Sequence, residues 1–318
     1  MSHLHIARNV ILFESEQLRK TMNKLDAQFD AAVHAILAST GKVVVCGIGK
    51  SGAVAQKITA TLCSTGTPAV FLHAAEAAHG DLGVYANGDP VLVISKSGTT
   101  AEMLRLIPFF IESQSPVIAI VGNLNSPIAR SATHVLDGTV DKEADSLNLA
   151  PTASTTVALA IGDALAVALM HARGFTEKDF ARFHPGGQIG RNLMVRVEDV
   201  MHEYPLIAHV SEKSSFRELI LAMTKFNLGA ACVVDEDQRL TGLVTDGDVR
   251  RSLLRDADMS VLTVSGIMTR NPVKVSLHAT LKEAVDLMEN RTSQLSVLPV
   301  VEGEICVGLI RIHDIYQG

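Results

Sequence analysis

The sequence predicts an α/β protein in which a five-stranded parallel sheet flanked by helices is followed by a duplicated α+β tail. Two observations support this fold class. From residue 41 onward, short β-rich runs alternate with helical stretches, which is typical of βαβ units and a parallel sheet. After about residue 195, segments 210–223 and 232–249 align with 275–288 and 298–315, so the chain contains an internal repeat.

The first part of the chain divides into a helical segment and the sheet. Residues 1–40 carry apolar side chains every three or four positions, from Leu18 to Ile36, which predicts one amphipathic helix or a pair of helices. The sheet domain is predicted over residues 41–195, with a mostly buried helix from Ser154 to His171. Its five predicted strands are residues 42–47, 68–73, 90–95, 116–122 and 133–137.

The two copies of the repeat are predicted over residues 196–260 and 261–318, each in the order β-α-β-β-α. The first helix of each copy begins with a capping box, in which a side chain and the backbone satisfy each other's hydrogen-bonding groups. These boxes are Ser215 with Glu218 and Thr280 with Glu283. We expect the two units to bury each other's sheet faces.

Composition restricts the class of protein. The net charge is −6 and no basic block occurs, so nucleic acid is not an expected partner. The longest apolar stretch, residues 157–170, contains Asp163 and is 14 residues long, which is too short to span a membrane. The cysteines form no CxxC pair, and we expect them to be reduced core residues of a cytoplasmic protein. They are Cys46, Cys63, Cys232 and Cys306.

A glycine-rich motif, GIGKSG at residues 47–52, follows the first predicted strand and precedes a helix. Its spacing fits a dinucleotide fingerprint, but the second strand does not end in the acidic residue that would bind the ribose. Gly49, Lys50 and Ser51 at a helix N-terminus also suit a phosphate or a sugar oxygen. A tight turn with a solvated lysine explains the motif without any ligand.

The motif SKSGTT repeats this design after the third strand. Its hydroxyl groups and the start of the following helix favour an anion. A second interpretation needs no ligand, because Thr99 and Glu102 have the spacing of a capping box. From local sequence alone, Glu102 is either part of a cap or a catalytic group. The hydroxyl groups belong to Ser95, Ser97, Thr99 and Thr100.

Three further polar groups stand in predicted loops. They are His79 in HGDLG, Glu143 in the long segment after the fifth strand, and His184 before Pro-Gly-Gly. Each also has an interpretation without function, namely a surface turn, a solvated carboxylate and the start of a turn. Taken together, the five motifs lie in loops that a parallel sheet would expose, and such sheets bind ligands at the carboxyl ends of their strands.

At these segments the sequence resembles the sugar-phosphate isomerases of the SIS-domain family, and within it the arabinose-5-phosphate isomerases. The resemblance runs along nearly the whole chain, through GIGKSG, STGTPA, AEAAHGDLG, LAPTASTT, GDALAVAL and DFARFHPGG. The tail, with TDGDVRR at residues 245–251, resembles a tandem CBS pair. The resemblance therefore implies a SIS domain followed by two CBS domains, assembled as a homotetramer.

The resemblance also implies an activity, the interconversion of D-arabinose 5-phosphate and D-ribulose 5-phosphate, which feeds Kdo synthesis for lipopolysaccharide or capsule. The positions that it implicates in catalysis are Lys50, Glu102, Glu143 and His184, the last reaching the site of a neighbouring subunit. The positions that it implicates in substrate or phosphate binding are Gly49, Ser51, His79, Ser95, Ser97, Thr99 and Thr100.

Moving a proton between C1 and C2 through an enediolate requires a carboxylate base and a group that stabilises the oxyanion. We expect Glu102 to be the base, although the sequence does not decide between Glu102 and Glu143. Lys50 or His79 is expected to stabilise the oxyanion, and His184 to assist ring opening. No metal or other cofactor is expected to be required, because no cluster of His, Cys and Asp has ligand spacing.

Two positions in the sheet domain depart from the family pattern. Lys96 stands where the family has varied, often smaller or uncharged residues, so it either adds charge to the phosphate site or points to solvent. Asp145 stands where a cysteine is common.

The tail departs from the pattern in its second copy. Nucleotide-binding CBS domains hold ribose with an aspartate three positions after a Ser or Thr. The first copy has Thr245 and Asp248, whereas the second has Arg311 before Asp314. The pair is therefore expected either to bind a regulatory nucleotide at one site or to be purely structural.

Two other functions remain open at this point. SIS domains also occur in regulators, so a non-catalytic sugar-phosphate sensor is one alternative, although no helix-turn-helix segment is visible in the sequence. The second alternative is an isomerase that acts on another sugar phosphate.

Overall fold

The computed structural model describes residues 2–184, 187–255 and 262–316. It divides into two compact units, one ending at Phe180 and the other beginning at Ala181. The domain boundaries expected from the sequence stay predictions.

The first unit is built on the predicted five-stranded parallel sheet, with the order β2-β1-β3-β4-β5. Strands β1, β3 and β4 are buried along their whole length, because helices cover both faces of the sheet. The strands are β1 (Val43–Gly47), β2 (Ala69–His73), β3 (Val91–Ser95), β4 (Val117–Val121) and β5 (His134–Asp137).

The helices of this unit are α1 (His3–Lys24), α2 (Ala27–Ala38), α3 (Gly49–Ser64), α4 (Ala74–Ala77), α5 (Ala101–Glu112), α6 (Pro127–Ser131) and α7 (Ala153–Ala172), with a 3₁₀ turn at Asp81–Val84. The predicted N-terminal segment is thus a pair of helices. Alternate residues of the strands enter two different cores. Val43 and Val45 pack with α2, α3 and α7, whereas Val44 and Cys46 pack with α4, α5 and α6.

Helix α7 is longer than its most apolar stretch. With 20 residues it is long and apolar enough to cross a membrane, so the argument that it is too short is wrong. Its packing is that of a core helix: Val157, Ile161 and Leu165 are buried in the core beside α3. At Gly162, an added Cβ would lie 2.2 Å from Ile58 Cδ1, so the glycine permits close contact with α3.

The second unit contains both copies of the repeat in the predicted order β-α-β-β-α. Before them lie α8 (Glu177–Phe183), which spans the division between the units, α9 (Gln188–Met194) and a 3₁₀ turn at Val197–Asp199. The first copy is β7 (His209–Val210), α10 (Phe216–Phe226), β8 (Ala230–Val234), β9 (Leu240–Thr245) and α11 (Asp246–Arg255). The second copy is β11 (Val275–Ser276), α13 (Leu281–Glu289), β12 (Val297–Glu302), β13 (Ile305–Arg311) and α14 (Ile312–Tyr316).

The two copies are interleaved through short strands. Strand β6 (His202–Glu203) precedes the first copy but pairs with β13, whereas β10 (Thr269–Arg270), after helix α12 (Val264–Ile267), pairs with β9. One hydrophobic cluster contains Cys232 of the first copy and Cys306 of the second, so the copies do share a buried face. Both predicted capping boxes are present.

The cysteines fit their prediction with one exception. All four are free thiols, and three of them are buried. Cys63 on α3 is exposed, so the expectation of a core position is wrong for this residue. Burial raises the pKa of the Cys46 thiol to about 12, which leaves it protonated and unreactive at neutral pH.

Candidate active site

A cavity of about 280 Å³ opens at the carboxyl edge of the sheet, beside the ends of β1 and β3. In the strand order 2-1-3-4-5, this is the point where successive connections leave on opposite faces, which makes a natural ligand crevice. The cavity is lined by Ile48, Lys50, Ser51, Val54, Ile94, Ser95, Lys96, Ser97, Thr100, Met103, Ile120, Val121, Gly122, Gly138, Pro151, Ser154, Thr155 and Ala158.

The β3–α5 loop is held rigidly at this cavity. Ser95 is buried, its Oγ lies 3.0 Å from Thr100 Oγ1, and it accepts a hydrogen bond from the Gly98 backbone N–H. Gly98 has a φ of +65°, and an added Cβ would lie 1.9 Å from Ser126 Oγ. Only glycine fits this position, so the loop's shape is set by its packing against the start of α6.

The capping box suggested by Thr99 and Glu102 is wrong. The N-cap of α5 is Thr100, which makes no side-chain cap hydrogen bond. The Thr99 N–H and hydroxyl group both donate to Ser97 Oγ instead. Glu102 lies half-buried in the first turn of α5, next to Met103 of the lining, but does not itself line the cavity.

The start of α3 forms a second wall. Its N-cap, Ile48, provides no side-chain hydrogen bond, so the first N–H groups of the helix remain available for an anion. Gly49 has a φ of +58°, which turns the chain from β1 into the helix. Lys50 and Ser51 line the cavity, and the Lys50 side chain is exposed.

Glu143 is buried next to Ser154 of the cavity wall and holds the start of α7. Its Oε2 accepts hydrogen bonds from the backbone N–H groups of Thr152 and Ser154, at 2.9 and 3.1 Å. Its Oε1 accepts from Ser154 Oγ at 2.5 Å and pairs with Lys96 Nζ at 2.6 Å. The carboxylate therefore caps a helix whose N-cap side chain makes no such bond.

These partners determine the charge of Glu143. Burial alone would raise its pKa, but the hydrogen bonds from Lys96, Ser154 and the Thr152 backbone outweigh burial and lower the pKa to about 2. Glu143 is therefore ionised throughout the neutral range. In the same loop, Asp145 accepts hydrogen bonds from the N–H groups of Leu147, Leu149 and Ala150 and so closes the segment before α7.

Neither of the two predicted histidines is among the residues that line the cavity. His79 is exposed after α4 and does not line the cavity. His184 follows α8 in the second unit, and its carbonyl accepts a hydrogen bond from Gly187 N–H. Its expected contribution to a neighbouring subunit stays a prediction.

Among the polar side chains that line the cavity, three were not among the predicted site residues, namely Lys96, Ser154 and Thr155. The signal for the last two was present in the sequence, since hydroxyl residues directly before a long apolar run suit a helix start. The described residues contain no group of three or more His, Cys, Asp and Glu side chains placed to hold a metal ion.

The second unit contains a larger cavity, of about 820 Å³, between the two copies of the repeat. Thr245 and Asp248 line it, with the Asp248 carboxylate accepting hydrogen bonds from the Thr245 N–H and hydroxyl and from Arg251. In the second copy, Asp314 pairs with Arg311 and His202. The basic side chains described at this cavity are Arg250, Arg251, Arg291, Arg311 and His313.

Comparison with known families defines the class of protein. The SIS domain family matches residues 36–168, and the CBS domain family matches residues 197–255 and 264–317. The fold is thus that of a SIS domain followed by a tandem CBS pair.

Full-length relatives narrow this class. Arabinose 5-phosphate isomerase KdsD of Pseudomonas aeruginosa PAO1 is 42% identical over 318 residues, covering 100% of this chain and 97% of the relative. KdsD of Escherichia coli K12 is 41% identical over 310 residues, covering 98% and 94%. The chain therefore belongs to the arabinose 5-phosphate isomerase family.

A solved structure is similar to part of the chain. It is the protein c3406 of E. coli CFT073 in complex with arabinose 5-phosphate, which is 38% identical to this chain with a TM-score of 0.56. The match covers 58% of this chain and 100% of c3406.

Proposed function

We infer that this protein is an aldose–ketose isomerase that interconverts D-arabinose 5-phosphate and D-ribulose 5-phosphate. The observation that carries this inference is the cavity at the switch point of the sheet. The chain that contains it is 42% identical over its length to a relative named arabinose 5-phosphate isomerase. The complex of c3406 with arabinose 5-phosphate supports the same substrate class. The product would feed Kdo synthesis for lipopolysaccharide or capsule.

The phosphate is proposed to bind where the helices α3 and α5 begin. Both starts lack a side-chain cap among the described residues, and residues of both line the cavity. Uncapped N–H groups and hydroxyl side chains are the donors that a phosphate needs. The proposed phosphate-binding residues are Gly49, Ser51, Ser95, Ser97, Thr99 and Thr100, with His79 near the substrate.

For the proton transfer we propose Glu102 as the base. A carboxylate whose pKa is about 2 is a weak base, which argues against Glu143. Glu102 is the other carboxylate considered, and it lies in the first turn of α5 next to Met103 of the cavity wall. Lys50, whose side chain is exposed at the cavity wall, is proposed to stabilise the enediolate. His184 is proposed to assist ring opening from a neighbouring subunit, and no metal or cofactor is proposed for the reaction.

The test is a turnover assay with the purified full chain against a panel of pentose and hexose phosphates. We expect arabinose 5-phosphate to be isomerised fastest, and Glu102→Gln and His184→Ala each to be strongly impaired. Near-normal turnover of both variants would overturn the assignment of these residues. Binding of a sugar phosphate without turnover of any panel member would indicate a sensor, and preference for another sugar phosphate would change the substrate.

We further propose that the chain assembles as a homotetramer in the cytoplasm. Leu4, Ile11 and Leu12 on α1 are each at least 60% exposed, an apolar surface that a second copy would bury. Light scattering of the purified chain tests the tetrameric state, and a monomer at micromolar concentration would contradict it.

The CBS pair is proposed to bind a regulatory nucleotide. The large cavity, the Thr245–Asp248 pair and the four arginines suit a ribose and its phosphates. Calorimetry of the full chain with AMP, ATP and CMP-Kdo tests this, with Asp248→Asn as the variant. No heat with any of the three would leave a purely structural tail.

A further inference from the structure

Lys96 occupies an unusual position at the wall of the cavity. It lies in the phosphate-binding loop between Ser95 and Ser97, and it lines the cavity. Its Nζ lies 2.6 Å from Glu143 Oε1, yet its side chain is 48% exposed while that of Glu143 is 0% exposed. The ammonium group is thus fixed at the boundary between a buried carboxylate and open space.

The Glu143 carboxylate has several hydrogen-bond donors other than this lysine. Besides Lys96, the carboxylate accepts hydrogen bonds from Thr152 N–H, Thr152 Oγ1, Ser154 N–H and Ser154 Oγ. The N-terminus of α7 supplies further positive potential on the buried side. An ammonium group has three donors, and Glu143 takes one of them. The other donors are not used by Glu143, and Lys96 itself lines the cavity.

We propose that Lys96 binds the phosphate of the substrate and that Glu143 is the positioning residue that holds it in place. This inference rests on the proposed function, because it assumes an anionic sugar as ligand. The phosphate is the favoured anion, rather than the enediolate, since Lys96 belongs to the same loop as Ser95, Ser97 and Thr100. A lysine that is already held in one geometry loses little side-chain entropy on binding.

Steady-state kinetics test the role of Lys96. For Lys96→Met we expect the KM for the sugar phosphate to rise about tenfold or more with kcat changed less than about twofold, because a charge-assisted hydrogen bond to the ligand is lost. Lys96→Arg keeps the charge and should recover most of the affinity. An unchanged KM for Lys96→Met, or a loss confined to kcat, would overturn the proposal.

The positioning role of Glu143 is tested by combining variants. Glu143→Gln should raise KM in the wild-type background but add nothing when Lys96 is already Met, because both changes then remove the same interaction. Independent, additive effects on KM would show that Glu143 does not act through Lys96. If Glu143→Gln does not fold, as judged by thermal unfolding, the Lys96→Met and Lys96→Arg pair still tests the binding role.

Lys57 provides the matched control. It is another lysine of the first unit, in a surface ion pair between α3 and Asp163 of α7, and it does not line the cavity. Lys57→Met removes the same charge and should leave KM within about twofold, since exposed charges are screened within about 10 Å at ordinary salt. An equal rise in KM would attribute the effect to net charge and overturn the proposal.

Calorimetric titration of the full chain with inorganic phosphate separates this inference from the proposed function. We expect phosphate to bind to the wild type and about tenfold more weakly to Lys96→Met. If that holds while no sugar phosphate is turned over, the proposed function fails and the assignment of Lys96 stands. If turnover is normal while phosphate binds equally to both proteins or to neither, the assignment of Lys96 fails and the function stands.

Discussion

Glu143 is the residue whose chemistry the structure defines most fully. It is completely buried but ionised, because a lysine, two hydroxyl groups and two backbone N–H groups surround its oxygens. A carboxylate held in this way is suited to fixing a loop, a lysine and a helix start around a cavity. Proton transfer requires the opposite property, a pKa nearer to neutrality.

The lowered pKa of Glu143 predicts an acid-sensitive stability. The pKa is 4.5 in an ordinary glutamate and about 2 in the folded protein, so the stabilisation is complete above about pH 4.5 and is lost as the pH falls towards 2. The contribution is on the order of 3 kcal/mol. Glu143→Gln should lower the free energy of unfolding at pH 7 and flatten its decline between about pH 5 and pH 2, as measured by denaturant unfolding.

Asp141 is a suitable control for that experiment. Its pKa is lowered by hydrogen bonds from Lys20 and Gln17, but the group is exposed, so Asp141→Asn should change stability far less. If Glu143→Gln retains the wild-type dependence on pH, the buried ion pair does not exist in solution.

At the scale of elements, the β3–α5 loop sets the shape of the cavity. Its conformation depends on Gly98, whose positive φ and contact with Ser126 exclude a side chain. The sequence indicated an anion-binding loop here, but it also suggested a cap that does not form. Thr99 donates to Ser97 Oγ, and Thr100 becomes the N-cap. That choice between adjacent threonines depends on tertiary packing, so spacing could not reveal it.

Gly98→Ala is therefore expected to damage both stability and binding. The added Cβ would require movement of Ser126 and a strained backbone, costing on the order of 2 kcal/mol. We expect a lower Tm and a raised KM for the sugar phosphate. Gly83→Ala is the control, because nothing lies within 4 Å of its Cβ position. Equal thermal stability of Gly98→Ala and wild type would show that the loop adopts another conformation.

The capping boxes of the tail give a second prediction at this scale. In each box, the N-cap side chain accepts a hydrogen bond from the backbone N–H of the glutamate three positions later. The carboxylate of that glutamate accepts a hydrogen bond from the backbone N–H of the N-cap residue. Ser215→Ala and Thr280→Ala should each destabilise the protein by about 1 kcal/mol. Thr224→Ala, on the exposed side of α10, is the control and should not destabilise the protein in this way. Equal free energies of unfolding for all three variants, measured by chemical denaturation, would show that the caps do not stabilise the helices.

At the scale of the whole chain, the architecture was largely predictable. Buried β-branched runs, helix periodicity and the internal repeat specify the sheet and the two copies, because these patterns are local and regular. The exchange of β6 and β10 between the copies was not predictable, since strands of two residues carry no pattern of their own. The Lys96–Glu143 pair likewise joins loops after different strands, and only the folded sheet brings them together.

We propose that the switch-point cavity isomerises arabinose 5-phosphate with Glu102 as the base. The most direct measurement is the rate at which the purified chain forms ribulose 5-phosphate from arabinose 5-phosphate, for the wild type and for Glu102→Gln. We expect turnover by the wild type and a loss of about 100-fold or more in kcat for the variant. Absence of ribulose 5-phosphate with the wild type, or equal rates for both proteins, would contradict it.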